Sequence, residues 1–357
     1  MSEKPLIIFH INTEKTFRGG EIQTIHLTQG LQKLGHQNFL IARPGSRILQ
    51  EAQAANIQTL TLNMRGEWDF IAAGRLRKWI DEYHPEILHA HTAHACAIAL
   101  LARRGRKSPR IVYSRRVTYG GRYIRQKLKH VDVVLAVSKS IRKQLLSAGV
   151  PDEKVIVVES GTDFYVFDTA PERAAVRKEL EIPESGFVIG NVSYFKPEKG
   201  QEQLIQAFCD YANPQSYLLL VGEGPTQKRC EEIARESPCA GRILFTGFRS
   251  DAYKFYAAMD AFFFSSFSGE GWSGVLREAM GAGVPVIAVR QAATEEQVLS
   301  GIVVSVDQKE WIDAMRKLFE NPELRKELAE HARQNARRFT VESMVRKTEE
   351  CYYRLAR

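Results

Sequence analysis

The chain is poor in cysteine: five in 357 residues, and none of Cys96, Cys209, Cys230, Cys239 and Cys351 stands in a Cys-x-x-Cys pair or at metal-ligand spacing. That excludes a disulfide-framed secreted scaffold and a structural zinc site, and predicts reduced packing thiols in a cytosolic protein. No apolar run is long enough to cross a bilayer. No signal peptide is expected, because Met1-Ser2-Glu3-Lys4-Pro5 leads straight into an apolar strand at 6–9. Internal repeats and low-complexity segments are absent, which excludes solenoids and long linkers.

Acidic residues are nearly missing from one block. Residues 101–150 hold fourteen Lys and Arg and one Asp, a balance of +13, although the whole chain is only +8. The densest parts are Arg103, Arg104, Arg106 and Lys107, then Arg115 and Arg116, then a run containing Arg122 and Arg125. Such a block attracts anionic lipid head groups, phosphorylated glycans or nucleic acid; the plainer alternative is a solvated basic face. No RNA-binding aromatic signature or DNA-reading helix accompanies it. The expectation is therefore an anionic membrane surface or an acidic acceptor, and no nucleic acid.

Strands and helices alternate from end to end, the mark of parallel, doubly wound α/β sheets, and the length suits two such domains. In the first half, strands are expected at 6–10, 38–42, 87–89, 111–114, 133–137 and 155–158. Helices are expected at 21–34 (with Gly35 as its cap), 93–103 and 141–148, the last N-capped by Ser138 or Ser140. In the second half, strands are expected at 188–191, 217–221, 242–245, 261–264, 286–289 and 302–304. The join falls between Gly161 and Pro183, near an isolated helix at 170–181. The tail from 322 reads as two helices broken near Phe339-Thr340.

The most informative stretch runs from Ser265 to Met280. It sets Glu270 and Glu278 on either side of a glycine-containing loop, Gly271-Trp272-Ser273-Gly274-Val275, that follows an apolar strand and opens a helix. The free amides and positive dipole end of such a helix bind anions. Two carboxylates beside an anion site make sense if they accept hydrogen bonds from hydroxyls. A nucleotide sugar, with a sugar, a diphosphate and a ribose, satisfies all three elements. Spacing of the two acids alone would fit a solvated surface helix equally well; the strand and the small residues around them favour the site.

This segment resembles the signature of the family 4 retaining glycosyltransferases, which have the two-domain GT-B fold, and the similarity extends over nearly the whole chain. The resemblance implies two Rossmann-like domains with an interdomain cleft: an acceptor domain at 1–165, onto which a last helix at 341–357 packs back, and a nucleotide-sugar domain at 166–340. It implies that Glu270 contacts donor-sugar hydroxyls, that Glu278 binds the ribose, and that the Ser273, Gly274 and Val275 amides cap the distal phosphate. Gly19 and Gly20, after the first strand, are expected to line the donor pocket. In His89-Ala90-His91, metal ligation is the minor reading, because no Asp, Cys or further His stands nearby in sequence. His91 matches the family histidine at the reaction centre, while His89 and His94 read as packed or surface histidines. In the segment 189–200, Lys199 matches the family's phosphate-binding lysine. Tyr194 occupies the position of the usual arginine, and Lys196 is the candidate substitute. Phe248, after the turn at Gly247, is expected to meet the base by its backbone, which leaves UDP, GDP and ADP open. The turn at Gly222 and Gly224 reads as mainly structural.

The expected reaction moves a hexose or heptose from a nucleotide-diphosphate sugar to a hydroxyl of a glycolipid or polysaccharide precursor, in lipopolysaccharide or cell-surface glycan synthesis. Retention, independence from metal and other cofactors, and domain closure are implied by the resemblance; no Asp-x-Asp occurs in the chain. The expected location is cytoplasmic, peripheral on the inner membrane. The alternatives are a nucleotide-sugar 2-epimerase of the same fold, or a non-catalytic protein that binds anionic surfaces or nucleic acid.

Overall fold

The structure, a computed structural model, describes residues 4–118, 126 and 128–357. The chain divides into two units, one running through Gly161 and completed by Val341–Arg357, the other Thr162–Thr340. The division falls a few residues ahead of the expected 165/166.

The first unit contains β1 (Ile7–Ile11), α1 (Gly19–Lys33), β2 (Gln37–Ala42), α2 (Arg47–Ala54), β3 (Gln58–Thr61), α3 (Phe70–Tyr83), β4 (Ile87–Ala90), α4 (Ala93–Arg103), β5 (Arg110–Arg115), β6 (Val133–Ala136), α5 (Lys139–Ser147) and β7 (Val155–Val157). The seven strands pair in the order β3-β2-β1-β4-β5-β6-β7, and every pair is parallel. β4, β6 and most of β1 are buried, as parallel strands covered by helices on both faces must be. β3 escaped the sequence reading because Gln58-Thr59-Leu60-Thr61 is short, polar and at the sheet edge. Gly35 lies just past α1 at φ 92°, the left-handed stop that glycine provides. Ser138 caps α5 by accepting from the Ile141 N–H.

The C-terminal helix Val341–Ala356 packs on α1. Gly30 makes that possible, since a β-carbon there would collide with Val345. Met344, Val345, Cys351 and Tyr352 join Leu27, Leu31, Ile87 and Val112 in one core.

The second unit contains α6 (Tyr165–Asp168), α7 (Arg173–Glu179), β8 (Phe187–Val192), α8 (Gln201–Tyr211), β9 (Ser216–Val221), α9 (Gln227–Glu236), β10 (Ile243–Gly247), β11 (Ala261–Phe264), α10 (Gly274–Gly281), β12 (Val286–Val289), α11 (Ala292–Gln297), β13 (Ile302–Val304), α12 (Gln308–Glu320) and α13 (Pro322–Ala336). Its strands pair in parallel in the order β10-β9-β8-β11-β12-β13. Apolar clusters fill both faces of the sheet, one around Phe208, Phe263 and Trp311, the other around Phe262, Leu276 and Met280.

One expectation is corrected here. Cys209 and Cys239 are joined in a disulfide with a Cα–Cα distance of 5.6 Å. Thirty residues separate them in sequence, so the spacing gave no sign of the pairing; the packing of α8 against α9 brings them together. Cys96, Cys230 and Cys351 are free and buried.

Each sheet reverses its strand order once, between β1 and β4 in the first unit and between β8 and β11 in the second. Ligands of open α/β sheets bind beyond the carboxyl ends of the strands at such a switch point. The two candidate sites lie there.

Candidate active site

In the second unit, β8 delivers the loop Ser193–Gly200 and β11 delivers the loop Ser265–Ser273. Polar contacts tie the two loops together. The Ser265 hydroxyl donates to the Lys199 carbonyl at 2.7 Å, and the Phe267 N–H donates to the Glu198 carbonyl at 2.9 Å. Asn191, buried at the end of β8, donates to the Phe263 carbonyl at 2.8 Å. Gly200 has φ 70°, and a β-carbon there would collide with the Ser265 carbonyl oxygen. Only glycine meets both the backbone and the contact requirement.

This arrangement sets Lys199 against Glu270. The Lys199 ammonium donates to Glu270 Oε1, and both side chains are largely buried. The two residues that the sequence reading assigned to phosphate and to sugar hydroxyls are thus brought together as an ion pair. Ser266 Oγ also reaches Glu270 Oε1, at 3.4 Å.

Glu278 sits one turn inside α10. The buried Tyr256 hydroxyl donates to its Oε2 at 2.9 Å, and burial pushes the carboxyl pKa up. Its Oε1 accepts from no group among the described residues, and it lies close to Gly274 at the start of the helix. A ligand hydroxyl can donate to that oxygen. At the same helix end the Gly274 and Val275 N–H groups lie in the first turn, where no intrahelical acceptor exists.

Two assignments change. The Ser273 N–H donates to Gln297 Oε1 at 3.0 Å, so it is not available to a phosphate. Gln297 returns a bond to the Ser273 carbonyl at 2.6 Å, and Arg277, only 1% exposed, donates to the same carbonyl at 3.1 Å. Ser273 is the clamp that fixes the helix entrance, and Gln297, a lone glutamine in α11, gave no motif by which to find it. Lys196 pairs with Glu198, so the candidate substitute for the missing arginine carries its own counter-ion. Gly271 and Trp272 are buried, Trp272 with its ring 5.1 Å from Phe339 and its indole Nε1 without a partner among the described residues. Phe248, after β10, is 66% exposed. Gly222 and Gly224 lie so close to the Ser193 and Phe195 carbonyl oxygens that any β-carbon would clash, which fits their structural reading.

In the first unit, the ends of β1 and β4 carry a cluster that the sequence reading saw only in part. His10 on β1 lies directly across from His89 on β4. His10 is the further histidine that was not expected, 81 residues from His91 but hydrogen-bonded to it at 3.1 Å. The period-two alternation of two adjacent parallel strands was the signal that could have found it.

The hydrogen bonds fix the proton positions. The Asn38 amide donates to the His36 carbonyl at 3.0 Å, so Asn38 Oδ1 faces His10 Nε2, 3.1 Å away, and accepts its proton. His10 Nδ1 then accepts from His91 Nε2–H. His91 Nδ1 accepts from the Arg116 guanidinium, 3.2 Å from Nη2 and 3.3 Å from Nη1. His89 is bonded to the Tyr352 hydroxyl at 2.5 Å and to Ser114 Oγ at 2.8 Å. Burial holds His10 neutral down to about pH 4 and pulls His89 and His91 well below their ordinary value. One nitrogen from each of the three rings lies within 4.8 Å of the other two, as metal ligands would. Yet every ring nitrogen already has a hydrogen-bond partner, and a guanidinium faces His91, so the donor set fits a proton-ordered chain better than a cation site. His89 is a packed histidine and His94 a surface one, as read from the sequence.

The basic block is also corrected. Arg115 and Arg116 are not surface cations: Arg115 is buried beside the Tyr113 hydroxyl, and Arg116 points into the histidine cluster. Arg103 pairs with Asp132, and Arg106 pairs with Asp81. The fold draws these side chains inward or onto the few nearby acids. Arg104 and Lys107 are exposed. Arg122 and Arg125 lie outside the described residues.

Comparison with known proteins shows the family and the fold. Residues 17–164 match the family model "Glycosyltransferase Family 4", and residues 172–335 match "Glycosyl transferases group 1". The chain is 28% identical to the lipopolysaccharide core biosynthesis glycosyltransferase LpsD of Rhizobium meliloti (strain 1021), over 90% of this chain and 89% of that protein. It is 26% identical to the N-acetyl-alpha-D-glucosaminyl L-malate synthase of Bacillus anthracis, over 81% and 80%. Among solved structures, a glycosyltransferase of Rickettsia africae ESF-5 superposes with a TM-score of 0.90 at 20% identity, covering 99% of both chains. Anabaena HepE in complex with UDP superposes with a TM-score of 0.85 at 20% identity, covering 97% of this chain and 99% of that one. The structural likeness establishes the GT-B type of fold, two parallel-sheet α/β domains. With one family model on each half, the chain belongs to glycosyltransferase family 4.

Proposed function

We propose that the protein is a retaining, metal-independent glycosyltransferase that moves a hexose or heptose from a nucleotide-diphosphate sugar to a hydroxyl of a glycolipid or glycan precursor, in lipopolysaccharide or other cell-surface glycan synthesis. One observation carries the donor half of this reading: a Lys–Glu ion pair and a second, hydroxyl-ready carboxylate converge on one helix entrance at the β8/β11 switch point. Glu278 Oε1 takes the ribose hydroxyls. The Gly274 and Val275 N–H groups and Lys199 take the diphosphate, and Glu270 takes hydroxyls of the sugar. The names of LpsD and of the structures holding UDP and UDP-glucose support a nucleotide-sugar donor and a cell-surface product.

In the reaction, the bond from the anomeric carbon to the diphosphate oxygen breaks and its electron pair stays on the leaving diphosphate. The acceptor oxygen bonds to the same carbon on the same face, and its proton passes to the leaving phosphate. The protein positions the partners and neutralises the charge that grows on the diphosphate. In the ligand-free state Lys199 and Glu270 neutralise each other. Donor binding exchanges that contact for two better ones, ammonium to phosphate and carboxylate to hydroxyl, and the first strengthens as the bond breaks. His91, buried and neutral, shapes the first unit's site through Arg116 rather than by proton transfer.

A peripheral position on an anionic membrane has separate support. Trp68, Phe70 and Ile71, at the entrance to α3, are 76%, 66% and 84% exposed, an apolar cluster of the kind that marks an interaction surface. The basic end of α4 lies against the same helix, with Arg77 donating to the Arg104 carbonyl at 3.2 Å, about 10 Å along α3 from the cluster. No helix among the described residues is long and apolar enough to cross a membrane.

The test of the catalytic reading is a nucleotide-sugar transfer and hydrolysis assay. Glu270→Ala and Lys199→Ala are expected to lose nearly all turnover; normal turnover in either removes its assigned role. Thermal shift against UDP, GDP and ADP identifies the nucleotide, because a ligand of the native state raises the melting point. Sedimentation with anionic and neutral liposomes tests the membrane part, and equal partitioning contradicts it.

A further inference from the structure

Arg116 is a cation that forms no ion pair among the described residues. Among the described residues its Nη1 and Nη2 atoms reach only the neutral His91, at Nδ1 and at the carbonyl oxygen, the latter 3.4 Å away. Its Nε–H is buried and has no acceptor among the described residues. Among the described residues no carboxylate forms an ion pair with it. Of the residues outside the description, 119–125 and 127 contain no acid. Glu21 raises the Arg116 pKa through its charge but directs its own oxygens to the Arg18 N–H at 3.0 Å and the Asn12 amide at 3.5 Å.

Such a state is unfavourable. An unsatisfied buried donor costs about 1–3 kcal/mol, and more when it belongs to a charged group. Natural chains keep an uncompensated charge where function needs it. The surroundings suit an anion. The aliphatic stem of Arg116 packs over Gly20, 3.7 Å from where a β-carbon would stand, so the guanidinium lies beside the entrance of α1. The Gly19 and Gly20 N–H groups at that entrance donate to nothing among the described residues. The unused Nε–H and the second Nη2–H form the side-on fork that binds phosphate and carboxylate bidentately. The residue as a whole is only half-buried, so part of it meets solvent.

We infer that Arg116, held from behind by the neutral His91–His10–Asn38 chain, is the receptor for a phosphoryl or carboxylate group of a substrate at the first unit's switch point. The inference rests on the glycosyltransferase reading and names the chemistry of one substrate: an oxyanion, carried by the acceptor or by the donor. His91 is the positioning residue. Its Nε2–H is committed to His10, so its Nδ1 lone pair faces the guanidinium and fixes its direction without adding charge.

The test is a calorimetric titration of the full chain with inorganic phosphate, at constant ionic strength, in the Lys199→Met background so that the second unit's cation does not contribute. Adding Arg116→Gln is expected to weaken phosphate binding about tenfold or more. The melting point without ligand is expected to stay level or rise, since an uncompensated cation is removed. His91→Leu is expected to weaken phosphate binding in the same direction, and His91→Asn to restore part of it. A parallel UDP titration of Arg116→Gln alone separates the sources: unchanged affinity places the oxyanion on the acceptor, and a loss of about tenfold places it on the donor. Phosphate binding that is absent before the substitution, or indifferent to it, overturns the inference. So does a melting point that falls by several degrees with phosphate binding intact, the mark of a structural arginine. If the wild-type chain binds no UDP, GDP or ADP, it is the glycosyltransferase reading that fails, and the phosphate result stands by itself.

Discussion

At the carboxyl ends of β8 and β11 the cation Lys199 lies against the carboxylate of Glu270, whereas at the ends of β1 and β4 the cation Arg116 leans on a neutral imidazole. Both clusters stand at the one point where their sheet reverses strand order. The sheets share a plan, and their switch points differ in electrostatics. In the second unit the two charges neutralise each other, and on the proposed reading they part only for a ligand that satisfies each, phosphate for the lysine and hydroxyls for the acid. The first unit's site carries an excess charge and relies on burial to keep three histidines from adding to it. A closed ion pair selects for a composite ligand; an open cation selects for any oxyanion of the right shape.

The largest expected effect comes from breaking the closed pair. Lys199→Met is expected to lower kcat about 10²–10³-fold, the loss typical of removing one stabilising group from a charged transition state. The matching test in the first unit is acid. In the unfolded chain His10 takes a proton near the ordinary imidazole value of about 6.5, while the folded chain refuses it down to about 4. Between those values the unfolded state binds more protons, so stability falls as pH falls through the window. His10 alone accounts for about 3 kcal/mol, and His89 and His91 act in the same direction. Urea unfolding at pH 7 and pH 4.5 measures this; a flat profile contradicts the neutral cluster.

Smaller changes sharpen the comparison. Glu278→Gln is expected to raise the donor KM about ten- to hundredfold, since hydrogen bonds to a charged acceptor are worth roughly 1.5–3 kcal/mol. Gly200→Ala places a side chain at φ 70° against the Ser265 carbonyl and is expected to lower stability by about 1–3 kcal/mol, read as a drop in melting point, with donor binding weakened as the two loops part. Lys196→Ala is expected to change donor KM by about threefold or less, because that lysine is partly exposed and already paired with Glu198. A loss as large as that of Lys199→Met would restore Lys196 as the replacement for the missing arginine.

Much of this was legible in the sequence, and the residues show why. Alternating apolar runs placed twelve of the thirteen strands to within a residue or two, since buried parallel strands are written as continuous hydrophobic stretches. β3 stayed hidden because an edge strand needs no such run. Glu270, Glu278 and Lys199 could be singled out as candidates because each lies in a short local motif. His10, Gln297 and Tyr256 were not, since each acts through a partner brought close only by strand register or helix packing. The charge run at 101–150 misled for the same reason. Its sign is written in the sequence, but whether an arginine meets water, Asp132, Asp81 or a histidine is decided by the fold.

The donor site is tested most directly by what lies beyond β8 and β11 when a nucleotide sugar is bound. A crystal structure of the chain soaked with the nucleoside diphosphate that raises its melting point most is expected to show the Lys199–Glu270 contact broken. The diphosphate oxygens should then accept from Lys199 and from the Gly274 and Val275 N–H groups, with a ribose hydroxyl on Glu278 Oε1. A diphosphate bound elsewhere, with Lys199 still against Glu270, would contradict it.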